Sequence, residues 1–388
     1  MNNKNFVRSF LLYYPMKIRA IVPIFAAIIL SACGSQDNPH KDAKNPEAHS
    51  GATKVSMLHY PQEKHLSNVR MLTDGGDNAE AYFSFDDKAI TFQASNPEWG
   101  DQCDQIYTSP LAGADMINNR PQLISTGKGR TTCAYFMPGN QSIIYASTHL
   151  ADEDCPPVPE KRADGKYIWP IYKGFDIFTA DLEGNILKQL TNEEGYDAEA
   201  TVSPLGDKIV FTSTRSGDLE LYTMNIDGSD VKQITNELGY DGGAFFSPDG
   251  QQLIFRSSRP KTAKEIKDYK DLLAKGLVTP TEMELYICNA DGSDIRKLTN
   301  LGQANWAPFF HPSGKKIIFS SNHASEKGYP FNLYMIDTNG ENLEQITWDG
   351  VFDAFPMFSF DGKKLIFGSN RSNSKPHDTN LFIADWID

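Results

Sequence analysis

Three recurring positions in the sequence carry the side chains best suited to chemistry. At the first stand Asn78, Thr131, Asp197, Asp241, Asn305 and Asp353. Two residues further on stand Glu80, Cys133, Glu199, Gly243, Ala307 and Phe355. A third position holds Asn96, His149, Arg215, Arg259, His323 and Arg371. Side chains alternate along a strand, so the first two sets are expected on one face, forming a ring of carboxylates and amides. Converging oxygens of this kind suit Ca²⁺, with Asp197, Glu199, Asp241 and Asp353 as candidate ligands. Arginine with histidine suits an anionic group such as a carboxylate. The competing reading is structural. Asp197, Asp241 and Asp353 would bond backbone or an Arg of a neighbouring unit and lock the repeats together, because buried charge must be paired.

These positions exist because the chain repeats itself. LTNEEGYDAEATVSPLGDKIVFTSTRSGDLELYTMNIDGSD is followed by ITNELGYDGGAFFSPDGQQLIFRSSRP, an insert, and MELYICNADGSD, with a period a little over 40 residues. A period of that size signals a propeller or solenoid. Each unit parses into four strands. In one of them Ala200–Ser203 is followed by a turn at 204–207, Lys208–Thr214 reads as an alternating strand, and Glu220–Asn225 ends in the turn Asp227-Gly228. A fourth strand runs Asp230–Thr235. Six such units run from residue 69 to the end, and the last lacks its fourth strand. An orphan strand, Asn68–Thr73, precedes the first unit and matches the fourth strands. The expected fold is therefore all-β: a six-bladed propeller of four-stranded antiparallel blades, closed by the N-terminal strand pairing with the last blade.

Ahead of the propeller (68–388), residues 1–32 read as an export signal and 33–67 as a flexible polar tether. The start is Met1 or Met16. Met16-Lys17-Ile18-Arg19 is a basic region before the apolar run Ala20–Leu30, which is short for a membrane span. His40, His49, His59 and His65 are read as scattered histidines of a solvated linker. Leu30-Ser31-Ala32-Cys33-Gly34 resembles the lipobox of bacterial lipoproteins. That resemblance implies cleavage before Cys33, its lipidation, and an outer-membrane lipoprotein facing the periplasm of a Gram-negative cell. Exported thiols oxidise, and one bridge is expected among Cys103, Cys133 and Cys155, with Cys288 a small buried hydrophobe.

The Ser247-Pro248-Asp249-Gly250 turn, Leu-Tyr before an Asp-Gly turn and Leu-Thr after it resemble the propellers of TolB-like proteins. TolB itself carries an α/β domain before its propeller, for which the tether is too short. The same repeats occur in the propellers of dipeptidyl-peptidase-type enzymes, tricorn-type proteases and oligogalacturonate lyases. The resemblance implies a monomeric binding module for an envelope protein or peptide. The alternative it suggests is a lyase or hydrolase for an acidic oligosaccharide, with His149, His323, Glu80 and Glu199 at its site. Enzyme signatures are otherwise missing, with neither G-x-S-x-G nor H-E-x-x-H in the sequence. A net charge of −13 argues against nucleic acid. Long loops are expected to gather on one face. One spans 150–172; another carries a helix with Ile266, Tyr269, Leu272 and Leu273 on one side. Trp99, Trp169, Trp306, Tyr196 and Tyr240 are expected at or near that mouth.

Overall fold

The computed structural model describes residues 58–388 other than Ala114, Lys327, Pro376 and His377. The signal sequence, Cys33, His40, His49 and the start of the tether lie outside the described residues. Six four-stranded antiparallel sheets form the blades. Their innermost strands are Asp77–Phe83, Thr131–Phe136, Asp197–Val202, Asp241–Phe246, Asn305–Phe310 and Asp353–Phe358. Each contacts the next around the ring, and the last contacts the first.

Blade 3 shows why the sequence folds this way. Its strands are Asp197–Val202, Lys208–Ser213, Glu220–Asn225 and Lys232–Gln233. Gly206, at φ +73°, turns the first strand into the second and donates its N–H to the Ser203 carbonyl at 2.8 Å. The second strand does not alternate as expected: Ile209 to Ser213 are all buried. A blade is packed on both faces by its neighbours, so both faces of this strand are apolar, as in buried parallel sheets. The fourth strand pairs through only two residues, and a hydroxyl just beyond it holds the edge. Thr235 Oγ1 accepts the Leu221 N–H at 2.8 Å. Thr73, Thr191, Thr299 and Thr347 do the same in other blades, and Ser125 in the first. This is what the recurring Leu-Thr encodes.

The ring closes as the sequence implied. Leu66–Met71 pairs antiparallel with Asn380–Trp386, with Met71 opposite Phe382. The closing strand begins two residues earlier than expected. Residues 58–65, read as the end of the tether, are also part of the propeller. Glu63 is fully buried and accepts from Arg371 Nη2 at 3.0 Å and Nη1 at 3.2 Å. It also caps the backbone N–H groups of Tyr60 and Trp348. His65 is not a solvated linker histidine: its ring stacks on Trp386 at 5.0 Å and bonds the Ile387 carbonyl at 2.7 Å. His59 bonds the Glu63 carbonyl.

Two loops reach over one face. In blade 4 the helix α1, Ala263–Leu273, starts with a capping box between Thr262 and Glu265. It buries Tyr269 and Leu272, and the Tyr269 hydroxyl donates to Asp218 of blade 3. Past the helix, Leu277–Val278 pairs with Trp169–Pro170 of the blade 2 loop, so the loops of blades 2 and 4 are joined. Cys103 and Cys155 form a disulfide between the loops of blades 1 and 2, while Cys133 and Cys288 are free and buried.

Two outcomes follow for stability. Arg371→Ala leaves Glu63 and Asp353 buried without their cation and should cost about 3–5 kcal/mol in urea denaturation. Replacing Cys103 and Cys155 with serine should cost about 2–4 kcal/mol in the same measurement, through lost cross-linking of the unfolded chain.

Candidate functional site

The innermost strands are not regular, and that decides which side chains meet a ligand. In every blade the pairing slips in the middle of this strand. Glu80, Cys133, Glu199, Gly243, Ala307 and Phe355 sit at the slip, all with φ between +46° and +58°. They are bulge residues in the left-handed region. The bulge breaks the alternation that was expected to aim two sets of side chains the same way, and it sends the two sets to different places.

The first set and the Arg/His set go into the seams of the ring. Asp197 accepts from Arg215 Nη2 at 2.7 Å. Asp241 takes Arg259 through both carboxylate oxygens, at 2.6 and 2.9 Å. Asp353 accepts from Arg371 Nη2 at 2.9 Å. Asn78 donates to the Gly75 and Thr379 carbonyls, and Asn305 to the Met283 carbonyl. His149 and His323 bond Ser147 and Ser321 of their own strands. Asn96 caps the short helical turn Pro97–Trp99. The Arg partner therefore comes from the same blade, not from a neighbour. The tie to the neighbour is through backbone: the N–H groups of Asp197, Asp241 and Asp353 donate to carbonyls of the preceding blade at 2.9, 2.9 and 3.0 Å. The Arg and His side chains expected as a basic ring are thus engaged by groups of their own blades. Asp197, Glu199, Asp241 and Asp353 do not make a calcium cage: an arginine holds each. Among the described residues no group of three or more His, Cys, Asp or Glu is placed to hold a metal.

The second set lines the central channel. All six bulge residues face a cavity of about 320 Å³ at the loop-bearing mouth. Tyr82 and Phe245 line it with ring centroids 5.6 Å apart, and Tyr135 packs against Tyr82 from outside the cavity at 5.4 Å. Trp169 and Trp306 wall it, 5.2 Å apart, and Tyr196 and Tyr240 also line it. Trp99 lies elsewhere, against Tyr107.

Inside, Glu199 is held by four donors. Tyr240 Oη donates at 2.6 Å, Thr212 Oγ1 at 2.7 Å and the Gly243 N–H at 2.8 Å; Arg256 is the fourth. Burial works to raise its pKa, but the Arg256 charge and these hydrogen bonds outweigh it and hold it below the usual carboxylate range. Arg256 lies 5.1 Å above the faces of both Trp169 and Tyr240. Blade 4 has glycine at the bulge for this reason: a Cβ on Gly243 would stand 1.8 Å from Arg256 Nη1. Glu80 differs. Its Oε2 is buried with no hydrogen-bond partner. Burial, with Glu199 and Asp104 nearby, pushes its pKa to about 7 against the relief given by Cys133 and Arg256.

Sequence reasoning missed Arg256, Asp104, Arg130 and Gln93, which all line the cavity. Arg256 had a signal. It stands in LIFRS, where the other blades carry Gln93, Ala146, Thr212, Ser320 and Gly368 at the equivalent position of the strand. A charge there, in a strand buried on both sides, has to face the channel.

The comparisons agree with this architecture. Residues 172–270 match the family model described as the TolB beta propeller domain. That stretch carries the TolB-type propeller repeat. A chain assigned as a TolB of Agrobacterium tumefaciens matches with a TM-score of 0.51 at 18% identity, covering 81% of this chain and 91% of that one. TolB of Acinetobacter baumannii matches with a TM-score of 0.54 at 18% identity, covering 78% of this chain. The match spans 64% of the Acinetobacter chain, less than two thirds of its length. At this identity the likeness concerns the fold. No curated protein matches the sequence.

The carboxyls that burial raises predict a pH profile. Asp176 is raised to about 6, Glu220 to about 8 and Asp349 to about 7, each also beside the carboxylate of Asp197, Asp241 or Asp353. With Glu80, these groups hold protons in the folded state that the unfolded chain gives up near pH 4. Their contribution is full below that pH, is lost progressively as pH rises from there through the folded values of about 6 to 8, and is gone above them. The urea midpoint should therefore fall from about pH 4 to pH 8 and level off above. Glu80→Gln should be more stable than the parent by about 1–2 kcal/mol at pH 8, with the gap closing by pH 5.

Proposed function

We propose that this TolB-like propeller is an envelope binding module, held by lipid on Cys33 to the outer membrane and facing the periplasm. It engages a protein partner through an extended segment entering the loop-rich mouth. The observation that carries this reading is the cavity itself. Its aromatic walls, a few polar groups and about 320 Å³ of space match a ligand recess in kind and lie at the small end in size. That volume takes a few side chains, not a folded domain. The blade 2 loop, through Tyr167 and Trp169 to Tyr172, walls the recess on a rigid ring, the usual arrangement of a binding site. The TolB-type repeat supports an envelope setting, as does the lipobox at Leu30–Gly34.

An acidic oligosaccharide fits poorly. Arg215, Arg259 and His323, which were expected to receive it, are occupied in the seams. Arg256 and Arg130 in the cavity are each already paired with a carboxylate. What remains uncompensated there is Glu80, an acid.

The test is capture of the partner by crosslinking from intact envelopes, followed by loss of capture on filling the cavity. Ala307→Phe does this with little backbone strain, because Phe355 already occupies the equivalent left-handed position in blade 6. Capture by the parent protein, lost in Ala307→Phe and kept in an exposed-loop variant such as Val158→Ala, is the expected result. Capture unaffected by Ala307→Phe overturns the mouth as the binding surface.

A further inference from the structure

The cavity holds a carboxyl that no cation of its lining is paired with. Around Glu80 stand the Cys133 thiol, the Tyr82 hydroxyl, Glu199, Arg256 and Asp104. The two carboxylates are matched: Glu199 by Arg256, and Asp104 by Arg130 at 2.5 Å. Each of these arginines therefore already has its counter-ion. Among the lining residues there is no lysine and no third arginine. Of the carboxylates lining the cavity, Glu80 is the one left with a buried oxygen that accepts no hydrogen bond. Buried carboxylate oxygens are almost always bonded, so an orphan in a concave site marks a place where a partner is to arrive.

The walls narrow the identity of that partner. Tyr167, Trp169, Trp306 and Phe355 present aromatic surface to the same space. The protein already uses such faces for cations here: Arg256 lies over Trp169 at 5.1 Å, and Arg130 over Tyr172 at 5.9 Å. A divalent metal would need more oxygen ligands than one free carboxylate supplies. An organic cation on an alkyl stem needs one counter-charge and apolar walls, and the cavity offers both.

We propose that the mouth recess takes a single organic cation, an ammonium or guanidinium on an alkyl stem such as a Lys or Arg side chain, with Glu80 as its counter-charge. The inference deepens the partner reading and rests on it: the extended segment is anchored by one basic residue. It also assigns the bulge of blade 1 a role its equivalents lack. Cys133, Gly243, Ala307 and Phe355 bring no charge, and Glu199 is spent on Arg256.

The test is calorimetric titration of the purified protein with Nα-acetyl-lysine amide and with Nα-acetyl-norleucine amide, which has a similar stem without the charge. At pH 8 the lysine probe should bind at least tenfold more tightly. Cation binding requires the Glu80 carboxylate, whose pKa in the empty site is about 7, so lysine affinity should weaken about tenfold between pH 8 and pH 6. Glu80→Gln, which keeps the shape and the left-handed backbone tolerance, should abolish both the preference and the pH dependence. 1,5-Diaminopentane and an Ala-Lys-Ala peptide separate the two sources of such a cation. Tighter binding of the peptide assigns it to a polypeptide, and tighter binding of the diamine to a free amine. Equal binding of the lysine and norleucine probes overturns the proposal without any variant. So does a preference that survives Glu80→Gln, or calcium binding that depends on Glu80 while the lysine probe does not bind. Should the cation preference fail while partner capture still depends on an unfilled cavity, this inference falls and the partner reading stands. Failure of both removes the mouth as a site.

Discussion

A ring of blades leaves only short outer strand edges while its first and last strands stay zipped, and everything else in this molecule depends on that closure. The two ends of the propeller meet in one blade, where Leu66–Met71 pairs with Asn380–Trp386. Strand pairing alone is a modest bond. Here it is reinforced from below by Glu63, which reaches past the strand to Arg371, the largest fully buried side chain among the described residues. Arg371 in turn holds Asp353, the first residue of the same blade's innermost strand. One guanidinium thus ties the N-terminal segment, the closing blade and the channel wall together. Removing charge from water costs several kcal/mol per ion, so the arrangement is tolerable only because each carboxylate is met by that guanidinium.

Blades 3 and 4 repeat this logic without the N-terminal segment. Asp197 and Asp241, at the head of one strand, meet Arg215 and Arg259 at the end of the next, and their backbone N–H groups cross to the preceding blade. Because this position must lock a seam in every blade, it varies little in character. The bulge two residues on is free of that duty. Its left-handed turn points the side chain into the channel, and there the chain carries Glu, Cys, Glu, Gly, Ala and Phe in turn. Regularity marks the scaffold and irregularity marks the site.

That distinction explains what the sequence could and could not reveal. Blade count, the closing strand, the helix after Thr262 and the face bearing the loops were legible, since each follows from a period or from turn and cap chemistry local to a few residues. The role of Asp197 or Arg215 was legible only as a choice between ligand and lock, because residue type cannot tell which way a strand faces once a bulge intervenes. No residue announces the bulge: five different residue types adopt the same positive φ there, and only one is glycine. The end of the tether was misjudged for a related reason. Glu63 and His65 are polar and look solvated until the fold brings Arg371 and Trp386 to them from the far end of the chain.

Glu80 and Glu199 make the closing point, since the same residue type occupies the same backbone position two blades apart. Glu199 faces Arg256, which fits only because blade 4 has Gly243 at its own bulge. Glu80 faces the Cys133 thiol of blade 2, which offers no charge. A protein selected for stability alone would be expected to place glutamine or a smaller residue at position 80, because a carboxylate raised to about 7 weighs against the folded state at neutral pH. Strain of this kind is retained where something else returns the energy. Glu220 is another buried acid with an orphan oxygen, but of the two it is Glu80 that faces an open aromatic recess, and it is the one set to meet a ligand.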